Sequence, residues 1–202
     1  AFTAPYEPGS IMKPLTAAMV VDQGKGTPTT KVYSPFHIHF PNGADFQDSG
    51  EHPANLTLTG VLVQSSNVGI SRIGSTVSAS KRYDYMRQFG FGSKTDVGFL
   101  GESTGILRPY DEWDNQTFYT VMFGQGVMTT AVQMAGAYQA LGNNGVKIPL
   151  SIVESCTRAD GTVVTPDVSK TTQVISPKAA RTTIDMMENV ATKSWLKDML
   201  AV

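Results

Sequence analysis

The chain has 202 residues, with 16 Lys plus Arg against 17 Asp plus Glu, 41% hydrophobic residues and 16% charged residues. That length suits one large domain or two small ones, and the apolar share is enough for a sizeable core. A net charge of -1 leaves no basic footprint for nucleic acid and no basic stretch for an anionic membrane surface, and a single cysteine, Cys156, excludes an internal disulfide and a cysteine metal cluster.

Along the chain, Tyr6-Glu7-Pro8-Gly9-Ser10 reads as a turn. Lys13 to Gln23 then has helical spacing, with Leu15, Met19 and Val20 on one side and Gly24 as a stop. Pro14 must sit in the first turn, because deeper in the helix its ring would clash with a preceding carbonyl, so the helix starts close to Ser10. Gly24 to Pro53 is polar and rich in turn residues, with short extended pieces at Lys31–Tyr33 and His37–Phe40. Asn55 or Thr57 caps a helix through Leu62, a break follows at Ser65-Ser66-Asn67, and a second helix spans Val68–Gly74. Ser78 or Ser80 opens another helix that ends at Phe89-Gly90. Gly92 to Trp113 reads as a long loop. Thr129 or Thr130 caps a helix ending at Leu141-Gly142. Ser151–Thr157 and Thr162–Thr165 read as strands around an Ala159-Asp160-Gly161 turn. Ser176-Pro177 is a cap followed by proline, starting a helix to about Val190, with one more short helix over 192–200.

Two clusters carry candidate chemistry. Ser10-Ile11-Met12-Lys13 fits S-x-x-K. Three residues apart on a helix is nearly one turn, so the lysine amine can reach the serine hydroxyl. A serine hydroxyl needs a base to become a nucleophile, and a lysine serves as one only when burial or nearby cations strip its charge. The four letters alone also describe a capping serine followed by a solvated lysine. Ser65-Ser66-Asn67, at the break between two helices, fits S-x-N and by itself also describes a serine-rich helix cap.

The flanking residues decide between these readings. The run Tyr6-Glu7-Pro8-Gly9-Ser10-Ile11-Met12-Lys13-Pro14-Leu15-Thr16 resembles the nucleophile segment of class B penicillin-binding proteins, and Leu62 to Gly69 resembles their second motif. Phe89-Gly90-Phe91-Gly92 with Gly101-Glu102, and Phe123-Gly124-Gln125-Gly126 with Thr129 to Ala135, resemble further parts of the same domain. Gly124 and Gly126 there are expected to permit tight backbone packing. The resemblance implies an α/β transpeptidase fold shared with serine β-lactamases, helix-rich here. Residues 1–202 would be a partial domain, with an incomplete sheet and an exposed apolar face, because strands are expected before residue 1 and after residue 202. The missing initiator Met also suggests a piece of a longer protein, so the absence of a signal peptide or membrane-length run says little.

The resemblance further implies that Ser10 is the nucleophile, Lys13 its base, Ser65 a proton relay, and Asn67 a substrate ligand that helps position Lys13. The substrate would be the D-Ala-D-Ala end of a peptidoglycan stem peptide, β-lactams would acylate the same serine, and no cofactor is called for. Division or elongation proteins would be partners, at the extracytoplasmic face of a bacterial plasma membrane, through an N-terminal anchor outside this chain. The family's third motif, K-T-G or K-S-G, is missing. Thr192-Lys193-Ser194-Trp195 has Lys-Ser without Gly, reads as helical, and places a bulky Trp where substrate would need to approach. In the family that strand supplies one of two oxyanion-hole amides, the other belonging to the nucleophile, here Ser10. Two alternatives stand beside the transpeptidase: a serine β-lactamase or D,D-carboxypeptidase, and a non-catalytic sensor or scaffold.

Weaker signals read as structural. His37 and His39 share one side of a strand, with His52 nearby, without a ligand set at metal spacing. Asp45 and Asp48 read as turn residues in a polar loop. Cys156 is expected to be buried and inert, and methionines such as Met134, Met186 and Met187 to fill the core.

Overall fold

The computed structural model describes residues 1–195 and Lys197. A 3-10 turn at Gly9–Met12 runs directly into helix α1 (Lys13–Asp22), with Pro14 in its first turn. The polar segment after it forms strands β1 (Lys31–Tyr33), β2 (His37–His39), β3 (Asp45–Gln47) and β4 (Asn55–Thr57). Thr57, rather than Asn55, caps helix α2 (Leu58–Val63) by accepting the Gly60 amide. Ser66 caps helix α3 (Asn67–Gly74) and Ser78 caps helix α4 (Ala79–Phe89), which stops at Gly90 with a left-handed φ of 106°. A short helix α5 (Thr117–Thr120) and a 3-10 turn at Val121–Phe123 precede helix α6 (Ala131–Gly142). Of the two candidate caps, Thr130 does the work. It accepts the Gln133 amide while the Gln133 side chain returns to the Thr130 amide, satisfying two otherwise orphaned donors. Strands β5 (Val146–Lys147), β6 (Cys156–Thr157), β7 (Val163–Val164) and β8 (Thr172–Gln173) lead to helix α7 (Pro177–Lys193), capped by Ser176.

The described strands form four separate antiparallel pairs, β1–β4, β2–β3, β5–β8 and β6–β7. The fold is therefore helical in its core, as expected, with minor β content. Helix α1 is the axis. Leu15, Ala17, Ala18, Met19 and Val20 are all buried, which spreads its apolar residues around the cylinder instead of along one stripe. One cluster joins Leu15 and Met19 to Met86, Phe89, Phe91 and Met122; the other joins Val20 to Leu58, Val61, Ile70 and Met186. Each large side chain so buried contributes about 1.5–3 kcal/mol. Among the described residues no helix is long and apolar enough to cross a membrane.

Three expectations need correction. Cys156 is exposed, not buried, because β6 and β7 pair for only two residues each on a hairpin whose residues all face solvent. Asp48 is not a solvated turn residue: its side chain is 1% exposed and fully engaged. Helix α7 continues past Val190 to Lys193, and the separate helix expected over 192–200 lies in part outside the described residues.

Candidate active site

The nucleophile turn is pinned from below by a glycine loop. Glu7 accepts the Gly126 amide at 2.8 Å, the Gly9 amide donates to the Gly124 carbonyl at 3.0 Å, and Tyr6 bridges Thr129. A Cβ on Gly124 would stand 2.3 Å from the Gly9 oxygen, so the two backbones touch as the expectation of tight packing requires. This contact sets the 3-10 turn on which exposed Ser10 sits, at the start of the buried helix α1.

Lys13 is 2% exposed. Its Nζ lies 3.0 Å from Ser10 Oγ and 2.9 Å from Ser65 Oγ, and it also donates to the Ser65 carbonyl. Ser65 can present both oxygens to one amine because its backbone is left-handed, with φ 53°. Such a conformation costs about 1–2 kcal/mol outside glycine and persists only where the surroundings enforce it. Burial pushes the Lys13 amine down to about 8, partly opposed by the negative charge of Asp48. Ser10, Lys13 and Ser65 converge, although Ser65 comes from the turn between α2 and α3.

Asn67 is placed differently from the expectation. Its side-chain amide donates to the Gln47 carbonyl at 3.0 Å, and no hydrogen bond among the described residues joins it to Lys13. It begins α3, just beyond the Ser65–Ser66 turn.

A cleft of about 780 Å³ opens over Ser10, Lys13 and Ser65, walled by Leu62 and Val63 of α2, Tyr138 of α6 and Val190 of α7. The Tyr138 hydroxyl donates to the Ile11 carbonyl at 2.8 Å, and burial pushes the pKa of this phenol well above its usual range. Trp195, 73% exposed, stands at the rim. Lys193 and Ser194 end a helix there and offer no strand edge. A second hollow, about 530 Å³, lies over His37, His39 and Arg72 but contains neither Ser10 nor Lys13. His37 and His39 both engage Asp45, at 2.8 and 3.2 Å, which holds that carboxyl below its usual range. Among the described residues no group of three or more His, Cys, Asp or Glu side chains is arranged to hold a metal ion.

Sequence reasoning missed Asp48 and His52, which lie directly beneath the Ser65–Asn67 turn. One signal was present: Asp48 follows Phe46 by two residues, so strand alternation puts it on the same inward face.

Comparison with known proteins places the chain in a family. A family model described as the penicillin binding protein transpeptidase domain matches residues 1–196. Penicillin-binding protein PbpB of Mycolicibacterium smegmatis is 38% identical over 189 residues, covering 93% of this chain and 29% of that protein. Peptidoglycan D,D-transpeptidase FtsI of Escherichia coli is 33% identical over 187 residues, covering 92% and 29%. The chain therefore spans under a third of the length of the curated relatives it matches. Penicillin binding protein 3 of Mycobacterium tuberculosis, in its apo form, superposes with a TM-score of 0.89 at 34% identity, covering 96% of this chain and 44% of that one.

Proposed function

The chain belongs to the penicillin-binding protein transpeptidase family, and from that membership we propose that it carries the acyl-transfer site of a peptidoglycan D,D-transpeptidase. The observation that carries this reading is the single buried amine held between two serine hydroxyls. A neutral Lys13 has two N–H donors and one lone pair. The donors match the Ser65 carbonyl and hydroxyl, which leaves the lone pair facing Ser10 Oγ–H.

Ser10 Oγ attacks the carbonyl between the two terminal D-alanines of a stem peptide as Lys13 takes its proton. The developing oxyanion is stabilised by the Ser10 amide and the positive end of the helix that begins beside it. Ser65 passes the proton to the departing D-alanine nitrogen, and Asn67 orients the peptide. The amine of a neighbouring stem peptide resolves the acyl-enzyme and forms the cross-link. β-lactams acylate the same serine; structures of Mycobacterium tuberculosis penicillin binding protein 3 with aztreonam and with ampicillin support that extension. In the parent protein this site works at the extracytoplasmic face of the plasma membrane, among the proteins of a division or elongation complex.

The test is mass spectrometry of the full-length parent after incubation with benzylpenicillin. A penicilloyl adduct on the peptide bearing Ser10, absent in Ser10→Ala, is expected. An unmodified wild-type protein would overturn the acyl-transfer reading in favour of a scaffold. Rapid nitrocefin turnover without a persistent adduct would overturn it in favour of a hydrolase.

A further inference from the structure

Beneath the Ser65–Asn67 turn lies a buried pair that the reaction scheme does not use. The side chains of Asp48 and His52 are 1% and 2% exposed and 2.6 Å apart. Asp48 is saturated. One oxygen accepts the Asn67 and Val68 amides, the latter at 3.0 Å; the other accepts Ser66 Oγ–H at 2.7 Å and faces His52 Nε2. Ser66 is itself used up, accepting the Gly69 amide at 2.8 Å and lying 2.6 Å from Ser34 Oγ. The Ser65 and Ser66 amides donate to the Leu62 and Val61 carbonyls of α2, and the other side of the turn, where α3 begins, is held by this one carboxylate.

The contacts also orient the pair. His52 Nδ1 lies 3.0 Å from the Pro53 carbonyl, which turns Nε2 toward Asp48. The carboxylate is the end of the pair that Lys13 senses.

We propose that Asp48, paired with His52, is a positioning residue for the Ser10–Lys13–Ser65 cluster: it clamps the turn that carries Ser65 and sets the electrostatic surroundings of the Lys13 amine. This inference rests on Lys13 being the base for Ser10. The other titratable groups near that amine are Glu51, from the same loop, and Tyr138 of α6, both in the cleft wall.

The two members of the pair act on Lys13 with opposite sign, which separates this role from simple support. In Asp48→Asn the side chain keeps an oxygen for the two backbone amides while losing its charge. His52 Nε2 then faces a neutral amide. In His52→Gln the carboxylate keeps its amide and Ser66 contacts and loses the imidazole that faces it. The midpoint for Lys13, followed by the NMR shift of its 13Cε-labelled methylene against pH, should fall in Asp48→Asn and rise in His52→Gln. Asp48→Ala, which leaves the Asn67 and Val68 amides, Ser66 Oγ–H and His52 Nε2 without this partner, should reduce benzylpenicillin acylation of Ser10 on the order of 100-fold, the scale of a roughly 1 Å misplacement.

The full-length parent is used throughout, and the NMR titration does not depend on acylation. If wild type forms no adduct, the functional reading fails while the Lys13 titration still decides the electrostatic role of Asp48. Midpoints that stay put, or that move the same way in both variants, overturn the electrostatic role. Acylation unchanged in Asp48→Ala overturns the positioning role.

Discussion

A lysine amine that is 2% exposed, with no ion pair to it among the described residues, gives up hydration without a contacting counter-charge. Its midpoint falls from 10.5 to about 8 chiefly by burial, with Asp48 opposing. About a tenth of the amine is therefore neutral at pH 7, a usable fraction for a general base. Acylation of Ser10 should rise roughly tenfold per pH unit below about 8 and level off above it, as followed by stopped-flow with a fluorescent penicillin. The same shift acts against stability. Between about pH 8 and 10.5 the unfolded chain holds a proton on Lys13 that the folded chain has lost, so stability rises with pH across that window. Below it the penalty is in full force, on the order of 3 kcal/mol. Lys13→Met should abolish acylation and raise the melting temperature at pH 7, with the gain shrinking toward pH 10.5. An unchanged or lower melting temperature at pH 7 would mean that Lys13 contributes more through its three hydrogen bonds than burial costs it.

Elements meet the site through the backbone contact between Gly9 and Gly124. Gly124 has φ 81°, and any Cβ there would overlap the Gly9 oxygen and nitrogen. Gly124→Ala should therefore shift the 3-10 turn, lowering stability by about 1–3 kcal/mol and slowing acylation, whereas Gly142→Ala, with no atom within 4 Å of a new Cβ, should leave acylation unchanged. Equal acylation rates in the two variants would show that the glycine contact does not set the nucleophile. These elements also mark what was legible in the sequence. The S-x-x-K spacing, the Thr130–Gln133 capping box and the Gly90 stop are local signals, and each was readable within a few residues. Helix α5 and strands β3 and β4 carry no such signal: they span three or four residues and exist through partners elsewhere in the chain. Asp48 is legible only in part: alternation from Phe46 turns it inward, but its partners Ser66, Asn67 and Val68 lie 18 to 20 residues away. Cys156 was misjudged because strand composition was taken for burial, and a two-residue pair on an exposed hairpin buries nothing.

At the scale of the whole molecule, the far end of α1 from Ser10 holds the helices together. Asp22 accepts the Tyr85 hydroxyl of α4 at 2.5 Å and the Ser176 amide, at the start of α7, at 2.8 Å. Gln23 donates to the same Tyr85 oxygen, and burial together with the Asp22 contact pushes that phenol up to about 12. One carboxylate thereby joins three helices, and its charge favours the positive N-terminal end of α7. Helix α7 in turn packs along α1 and α2 and brings Val190 to the cleft wall. Across the ten residues of α1 the two ends are separated by about 15 Å. Asp22→Ala leaves the Tyr85 hydroxyl and the Ser176 amide without this acceptor. The expected loss is on the order of 3 kcal/mol, two hydrogen bonds to a charged group. Denaturant melts should report that loss, and the acylation rate of the remaining folded molecules should match wild type, because the 3-10 turn and the Lys13 contacts are set by Gly124 and Ser65 and not by the far end of the helix. A stable Asp22→Ala protein with slowed acylation would instead mean that α1 slides as a rigid rod, and that the anchoring of α7 determines where Lys13 stands relative to Ser65.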